Sequence, residues 1–164
     1  MTVVLIGAPG SGKTRLGKRV ARLLKLPFVD TDKRIVADHG AVSEIFSTYG
    51  EPHFRRIERE AVAKALGEHA VVSLGGGAVL DEETQRDLVG RRVVLLTVSA
   101  EAVQSRIGGR KRPLLTGGID AWNALVESRR ELYERLGDRV WDTSTRPLDD
   151  IAKEIASWAR EGTP

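Results

Sequence analysis

Gly7-Ala8-Pro9-Gly10-Ser11-Gly12-Lys13-Thr14 separates a short apolar run, Val3 to Ile6, from a stretch with helical spacing, Lys13 to Leu24, in which Leu16, Val20, Leu23 and Leu24 fall on one face. The octapeptide satisfies G-x-x-x-x-G-K-[ST] at every fixed position and lies between a predicted strand and a predicted helix, the context that gives the pattern meaning. Glycines let the backbone curl so that successive N–H groups point inward at phosphate oxygens. The helix that follows adds the positive end of its dipole. Lys13 can reach terminal phosphates, and the Thr14 hydroxyl can ligate Mg²⁺. The loop therefore predicts a bound nucleotide, without specifying a reaction.

Working outward from this loop, apolar runs alternate with helical patterns. Strands are expected at Val3 to Ile6, Phe28 to Asp30, Val71 to Leu74, Arg92 to Val98 and Arg139 to Trp141. Helices are expected at Lys13 to Leu24, Thr31 to His39, Val42 to Tyr49, Glu51 to Leu66, Glu82 to Leu88, Glu101 to Ile107, Ala121 to Leu136 and Leu148 to Arg160, with a glycine-rich basic loop from Gly108 to Ile119. Such alternation implies an α/β fold: a mostly parallel five-stranded sheet covered by helices on both faces. The length of 164 residues favours a single domain, 1–164, large enough for a substantial core.

Composition narrows the chemistry. The chain has no cysteine, which excludes disulfides, thiolate metal sites and a cysteine nucleophile. The net charge is +3, but basic residues are interspersed with acids and aromatics make up only 5%, too few for a single-strand stacking platform. The basic side chains suit an anionic small molecule better than nucleic acid. With no signal-like start and no apolar run of spanning length, the expected setting is the cytoplasm, with no membrane partner.

In a parallel sheet, ligands bind beyond the carboxyl ends of the strands. Asp30 and Asp32 follow the second strand, and two carboxylates there can divide the work of holding metal-bound water and accepting a proton from an attacking hydroxyl. The alternative is that Asp32 or Thr31 merely caps the next helix. Arg55 and Glu58 share a helical face. They form either a solvated pair worth under about 1 kcal/mol or a carboxylate holding a guanidinium fork for an anionic ligand. Gly75-Gly76-Gly77 after the third strand is costly in backbone entropy, so it marks either a tight turn or a close approach of a ligand to the backbone. Arg110-Lys111-Arg112-Pro113, flanked by glycines, suits a lid over a transferring phosphoryl group.

Together these blocks resemble the shikimate kinases over nearly the whole chain. The resemblance rests on Gly7 to Thr14, Asp30-Thr31-Asp32, Gly50-Glu51-x-x-Phe54-Arg55-x-x-Glu58, Ser73-Leu74-Gly75-Gly76-Gly77 and Arg112-Pro113-Leu114-Leu115, with a looser Arg129-x-x-Leu132-Tyr133. It implies a three-layer P-loop kinase fold with substrate-binding helices at about 31–66 and a lid loop at about 108–119, acting as a monomer on shikimate and ATP with Mg²⁺. ATP would lie against Gly10, Ser11, Gly12, Lys13, Thr14 and Arg15, with Arg106 and Arg146 flanking adenine. Thr14 and Asp30 would hold the metal, Asp30 through water. Asp32 would bind the substrate hydroxyls and act as base, and Lys13 and Arg112 would stabilise charge on the transferred group. Arg55 and Arg129 would clamp the substrate carboxylate, Glu58 would position Arg55, Gly76 would bind through its backbone, and Phe46 and Phe54 would wall the pocket. Glu131 stands where the family usually has proline. Arg130 adjoins Arg129, and the spacing to Tyr133 favours Arg129. Rival readings are a kinase of the same architecture acting on gluconate or a nucleoside monophosphate, and a nucleotide-binding module without catalysis.

Overall fold

The apolar runs form five strands: β1 (Val3–Gly7), β2 (Phe28–Asp30), β3 (Val71–Ser73), β4 (Arg92–Thr97) and β5 (Arg139–Asp142). The structure is a computed structural model that describes residues 1–107 and 117–161. The strands lie in the order β2-β3-β1-β4-β5, and each adjacent pair is parallel. Among the described residues eight α-helices connect or follow them: α1 (Lys13–Leu24), α2 (Thr31–His39), α3 (Val42–Tyr49), α4 (Glu51–Leu66), α5 (Glu82–Leu88), α6 (Ala100–Ile107), α7 (Gly118–Leu136) and α8 (Leu148–Arg160).

Strand side chains alternate between two cores, as a pleated sheet buried on both faces requires. Val4, Ile6, Val72, Val93 and Leu95 pack with Val62, Leu66, Leu88 and Tyr133 from α4, α5 and α7. Val3, Leu5, Val71, Val94 and Leu96 pack with Leu16, Val20, Ile151 and Ile155 from α1 and α8. The chain leaves β1 for the far edge at β2, then crosses from β3 over β1 to β4. Strand order thus changes direction beside β1 and β3, which places a ligand crevice at their carboxyl ends.

The structure corrects the sequence reading in three places. The buried stripe of α1 is Leu16, Gly17, Val20 and Ala21, whereas Leu23 is 37% exposed. Gly17 and Ala21 join Leu16 and Val20 on the face toward the sheet, because small residues there let the helix axis approach it closely. Helix α7 starts at Gly118, three residues before the expected Ala121, and takes in Gly118 and Ile119 from the predicted loop; Gly117 makes the entry with φ 102°. A 3-10 turn, Ala78–Leu80, follows the triple glycine where no element was expected. The remainder of the predicted lid, 108–116 with Arg110, Lys111, Arg112, Pro113, Leu114 and Leu115, lies outside the described residues.

A β-carbon at Gly17 would stand 2.5 Å from Phe28 Cε2 and 2.9 Å from Leu5 Cδ1. Gly17→Ala is therefore expected to destabilise the fold by about 1–3 kcal/mol through overpacking, despite the better helix propensity of alanine. A urea midpoint equal to or above that of the parent would refute the claim that this contact is tight.

Candidate active site

The nucleotide loop is shaped by backbone that only glycine adopts freely: Gly10 and Gly12 have φ of 82° and 96°. Lys13 folds back across the loop and donates from Nζ to the carbonyl oxygens of Gly7 (2.6 Å) and Ala8 (3.1 Å). Desolvation by the surrounding protein pulls its pKa down to about 8; Asp32 and Asp30 oppose that shift, and Arg129 adds to it. The Ser11 hydroxyl is buried and, among the described residues, makes no hydrogen bond. Arg15 is exposed on the first turn of α1.

The loop is braced from three directions. Trp122, buried on α7, donates from Nε1 to the Pro9 carbonyl oxygen (2.8 Å). Thr143, buried just after β5, donates from Oγ1 to the Ser11 carbonyl oxygen (2.7 Å). Arg106 on α6 donates to the carbonyl oxygens of Gly10 (3.1 Å) and Thr143. Arg146 is exposed and paired with Glu154 of α8, apart from this brace. Trp122 and Thr143 carried no sequence signal, because each acts through a contact more than 100 residues away along the chain.

Beyond β2 the two aspartates do different things. Asp30, not Asp32 or Thr31, is the N-cap of α2: its Oδ1 accepts from Lys33 N (3.2 Å). Its Oδ2 accepts from Thr14 Oγ1 (3.0 Å), so the capping carboxylate also meets the nucleotide loop. These oxygens are hard donors, and one carboxylate plus one hydroxyl suits a Mg²⁺ ion that keeps its waters and takes phosphate oxygens as further ligands. Among the described residues no group of three or more His, Cys, Asp or Glu is placed to hold a metal alone. Asp32 lies in the first turn of α2 with its side chain free of the cap. Desolvation and the neighbouring Asp30 raise its pKa, against the pull of Lys13 and Arg55.

The triple glycine is explained by what packs on it. Gly75, Gly76 and Gly77 do not have positive φ, so no strained turn demands them. A β-carbon at Gly75 would overlap the Asp32 carboxylate. One at Gly76 would stand 3.3 Å from Arg129 Nη1, and one at Gly77 2.6 Å from Arg55 Nη1. Each glycine thus makes room for one functional side chain. The Gly76 carbonyl oxygen accepts from Arg129 Nη1 (2.9 Å) and from the hydroxyl of Tyr133 (3.2 Å). The Gly76 N–H has no hydrogen-bond partner among the described residues.

Arg55 donates to Glu58 Oε1 at 2.8 Å. The Glu58 side chain is 6% exposed and that of Arg55 is 37% exposed, so the pair is no solvated surface bridge: a buried carboxylate holds a guanidinium at the edge of the crevice. Burial raises the Glu58 pKa, partly offset by Arg55. The Arg55 guanidinium also lies 5.5 Å from the centroid of the Phe54 ring. That ring is buried and packs against the exposed Phe46 at 4.9 Å. Arg130 points elsewhere, to an exposed pair with Glu127. Lys13, Thr14, Asp30, Asp32, Arg55, Glu58, Arg129 and the three glycines therefore converge, whereas Arg15 and Arg146 stand at the surface and Arg112 is outside the described residues.

A sequence model of the shikimate kinase family matches residues 9–160. A shikimate kinase of Salinispora tropica is 47% identical over 94% of this chain and 95% of its own length. One of Corynebacterium efficiens is 43% identical over 93% of each chain. The structure of the Acinetobacter baumannii shikimate kinase in complex with shikimate superposes with a TM-score of 0.84 at 27% identity, covering 96% of this chain and 91% of that one.

The burial of Glu58 gives a pH signature with a definite sign. A carboxyl whose pKa is higher folded than unfolded binds more protons in the folded state, so its contribution to stability declines as pH rises through that range and the cost is complete above it. Glu58→Gln removes this titration and leaves a half-exposed Arg55 that water can solvate. As pH rises above the ordinary glutamate value of 4.5, the melting temperature of Glu58→Gln should rise relative to that of the parent. A difference that is flat or falls over this rise, measured by calorimetry, contradicts the burial cost.

Proposed function

The chain belongs to the shikimate kinase family, and we propose that the crevice described above transfers the γ-phosphoryl group of ATP to the 3-hydroxyl of shikimate. The products are shikimate 3-phosphate and ADP, a step on the route to chorismate and the aromatic amino acids. One observation carries this assignment of the site: an aspartate and two arginines meet on one glycine-rich backbone segment beside the lysine of a phosphate loop.

The substrate is a small acid bearing hydroxyls, and the residues match both features. Arg55, held by Glu58, and Arg129, held by the Gly76 carbonyl, offer guanidinium forks to the carboxylate. Asp32 and the Gly76 N–H receive the hydroxyls. Asp32 accepts the proton of the attacking hydroxyl, a role suited by a pKa that burial and Asp30 raise above its ordinary value. The new oxygen–phosphorus bond forms as the bond to the β-phosphate oxygen breaks, and ADP departs. Lys13 leaves its carbonyl partners for the β- and γ-phosphate oxygens. Thr14 and Asp30 would hold Mg²⁺, which when bound would supply positive charge against the phosphates. Arg112 takes the charge-stabilising role at the transferred group, by the resemblance of its motif. Most of the acceleration in such a site comes from orientation and electrostatics. By the resemblance of its motifs, the enzyme acts as a monomer in the cytoplasm. Among the described residues no helix is long and apolar enough to cross a membrane.

A coupled ADP-release assay should show turnover that requires shikimate. Asp32→Asn should abolish that turnover while ADP still binds, and full activity would remove Asp32 from the chemistry. Arg55→Ala and Gly77→Ala should each raise KM for shikimate far more than KM for ATP, the second because its methyl displaces the Arg55 guanidinium. Equal changes in both constants would count against a carboxylate clamp.

A further inference from the structure

Thr31 stands between the two aspartates, is completely buried, and has no role in the mechanism above. Its hydroxyl donates to the Ser73 carbonyl oxygen (3.3 Å) and accepts from the Gly75 N–H (3.2 Å). The register of β2 on β3 explains why those two partners are available. Phe28, Val29 and Asp30 pair with Val71, Val72 and Ser73, so the next residue on β2 would face Leu74. In a parallel ladder, a residue facing Leu74 gives its N–H to the carbonyl of residue 73 and takes the N–H of residue 75. The Val71 N–H to Pro27 carbonyl bond (3.0 Å) sets the same alternation four residues earlier on β2. At Thr31, however, the backbone has already turned into α2. The side-chain hydroxyl, donor and acceptor at once, takes the Gly75 N–H in place of the Thr31 carbonyl oxygen and adds a bond of its own to the Ser73 carbonyl oxygen.

We propose that Thr31 is a positioning residue whose hydroxyl completes the β2–β3 ladder by one rung and so sets the first turn of α2, with Asp32, against Gly75. The geometry permits little slack. The Asp32 carboxylate lies where a β-carbon of Gly75 would be, and the Thr31 hydroxyl holds the N–H of that same glycine. The Gly75 carbonyl oxygen is tied to Ala78 N (3.0 Å), so fixing its N–H orients the peptide that leads to the Gly76 N–H. One hydroxyl thereby ties the aspartate and the backbone donor into a single frame. Serine can replace threonine in this role; valine, of the same shape, cannot, and it leaves the Gly75 N–H without its acceptor.

This inference rests on the assignment of Asp32 and the Gly76 N–H to the substrate hydroxyls, and its test separates the two claims. In Thr31→Val, kcat should fall by about 10- to 100-fold, the scale of loss for a misplaced reacting group. The Kd for shikimate, titrated without nucleotide or metal, should rise, while the Kd for ADP stays at the parent value. Thr31→Ser should restore both quantities. Thr31→Ala, which needs no extra room, replaces Thr31→Val if the latter does not fold. Parental kcat and shikimate affinity in the hydroxyl-free variants overturn the proposal, as does equal weakening of shikimate and ADP, the mark of a merely structural role. Failure of Thr31→Ser to recover overturns it too, because the hydroxyl is then not the cause. Asp32→Asn with retained turnover overturns the underlying assignment; turnover lost in Asp32→Asn but intact in Thr31→Val overturns the positioning role alone.

Discussion

Three consecutive residues without β-carbons allow Asp32, Arg55 and Arg129 to reach one short piece of backbone, and the rest of the crevice is organised around that approach. A side chain at any of these positions would take the space of a charged group. The segment follows β3, the strand next to β1, so the same geometry sets these groups beside the phosphate loop. Neighbouring elements then fix each charge: α2 carries Asp32, α4 carries Arg55 with its buried Glu58, and α7 carries Arg129 with Tyr133.

The charges are arranged to be incompletely satisfied. Burial opposes the charge on Lys13, on Glu58 and on Asp32, and Asp30 adds to that opposition at Asp32. Lys13 donates to neutral carbonyls where a phosphate oxygen would be a stronger acceptor. A site of this kind is preorganised for anions because its donors are already oriented and partly desolvated before the ligand arrives. The same local tension makes it a poor contributor to folding stability, which has to come from the two apolar layers around the sheet.

The nucleotide side and the substrate side are held by different means. Backbone carbonyls of the phosphate loop are tied to Trp122, Thr143 and Arg106, from elements distant in sequence. The substrate side is held by side chains on glycines and by the Thr31 hydroxyl. Both use carbonyl oxygens as anchor points, and on the substrate side the Gly76 N–H keeps no partner among the described residues.

Much of this was legible in the chain itself. The phosphate loop, the alternation of strands and helices, and the bounds of α1 through α5 follow from local rules: periodicity, capping and breakers act within a few residues. The motifs around Asp32, Arg55 and the triple glycine also named groups that the structure brings together. What sequence left open was set by distance along the chain. Whether Arg55 and Glu58 were a surface pair depended on burial, and burial is decided by what packs over α4. Which of Arg129 and Arg130 turned inward depended on how α7 lies against the triple glycine. The inward face of α1 was misjudged because hydrophobicity marks the large residues, whereas close contact with the sheet selected Gly17 and Ala21. Local sequence thus determined the elements and the chemical groups; tertiary packing decided which groups meet, because solvent exclusion and close approach belong to surfaces brought together from separate parts of the chain.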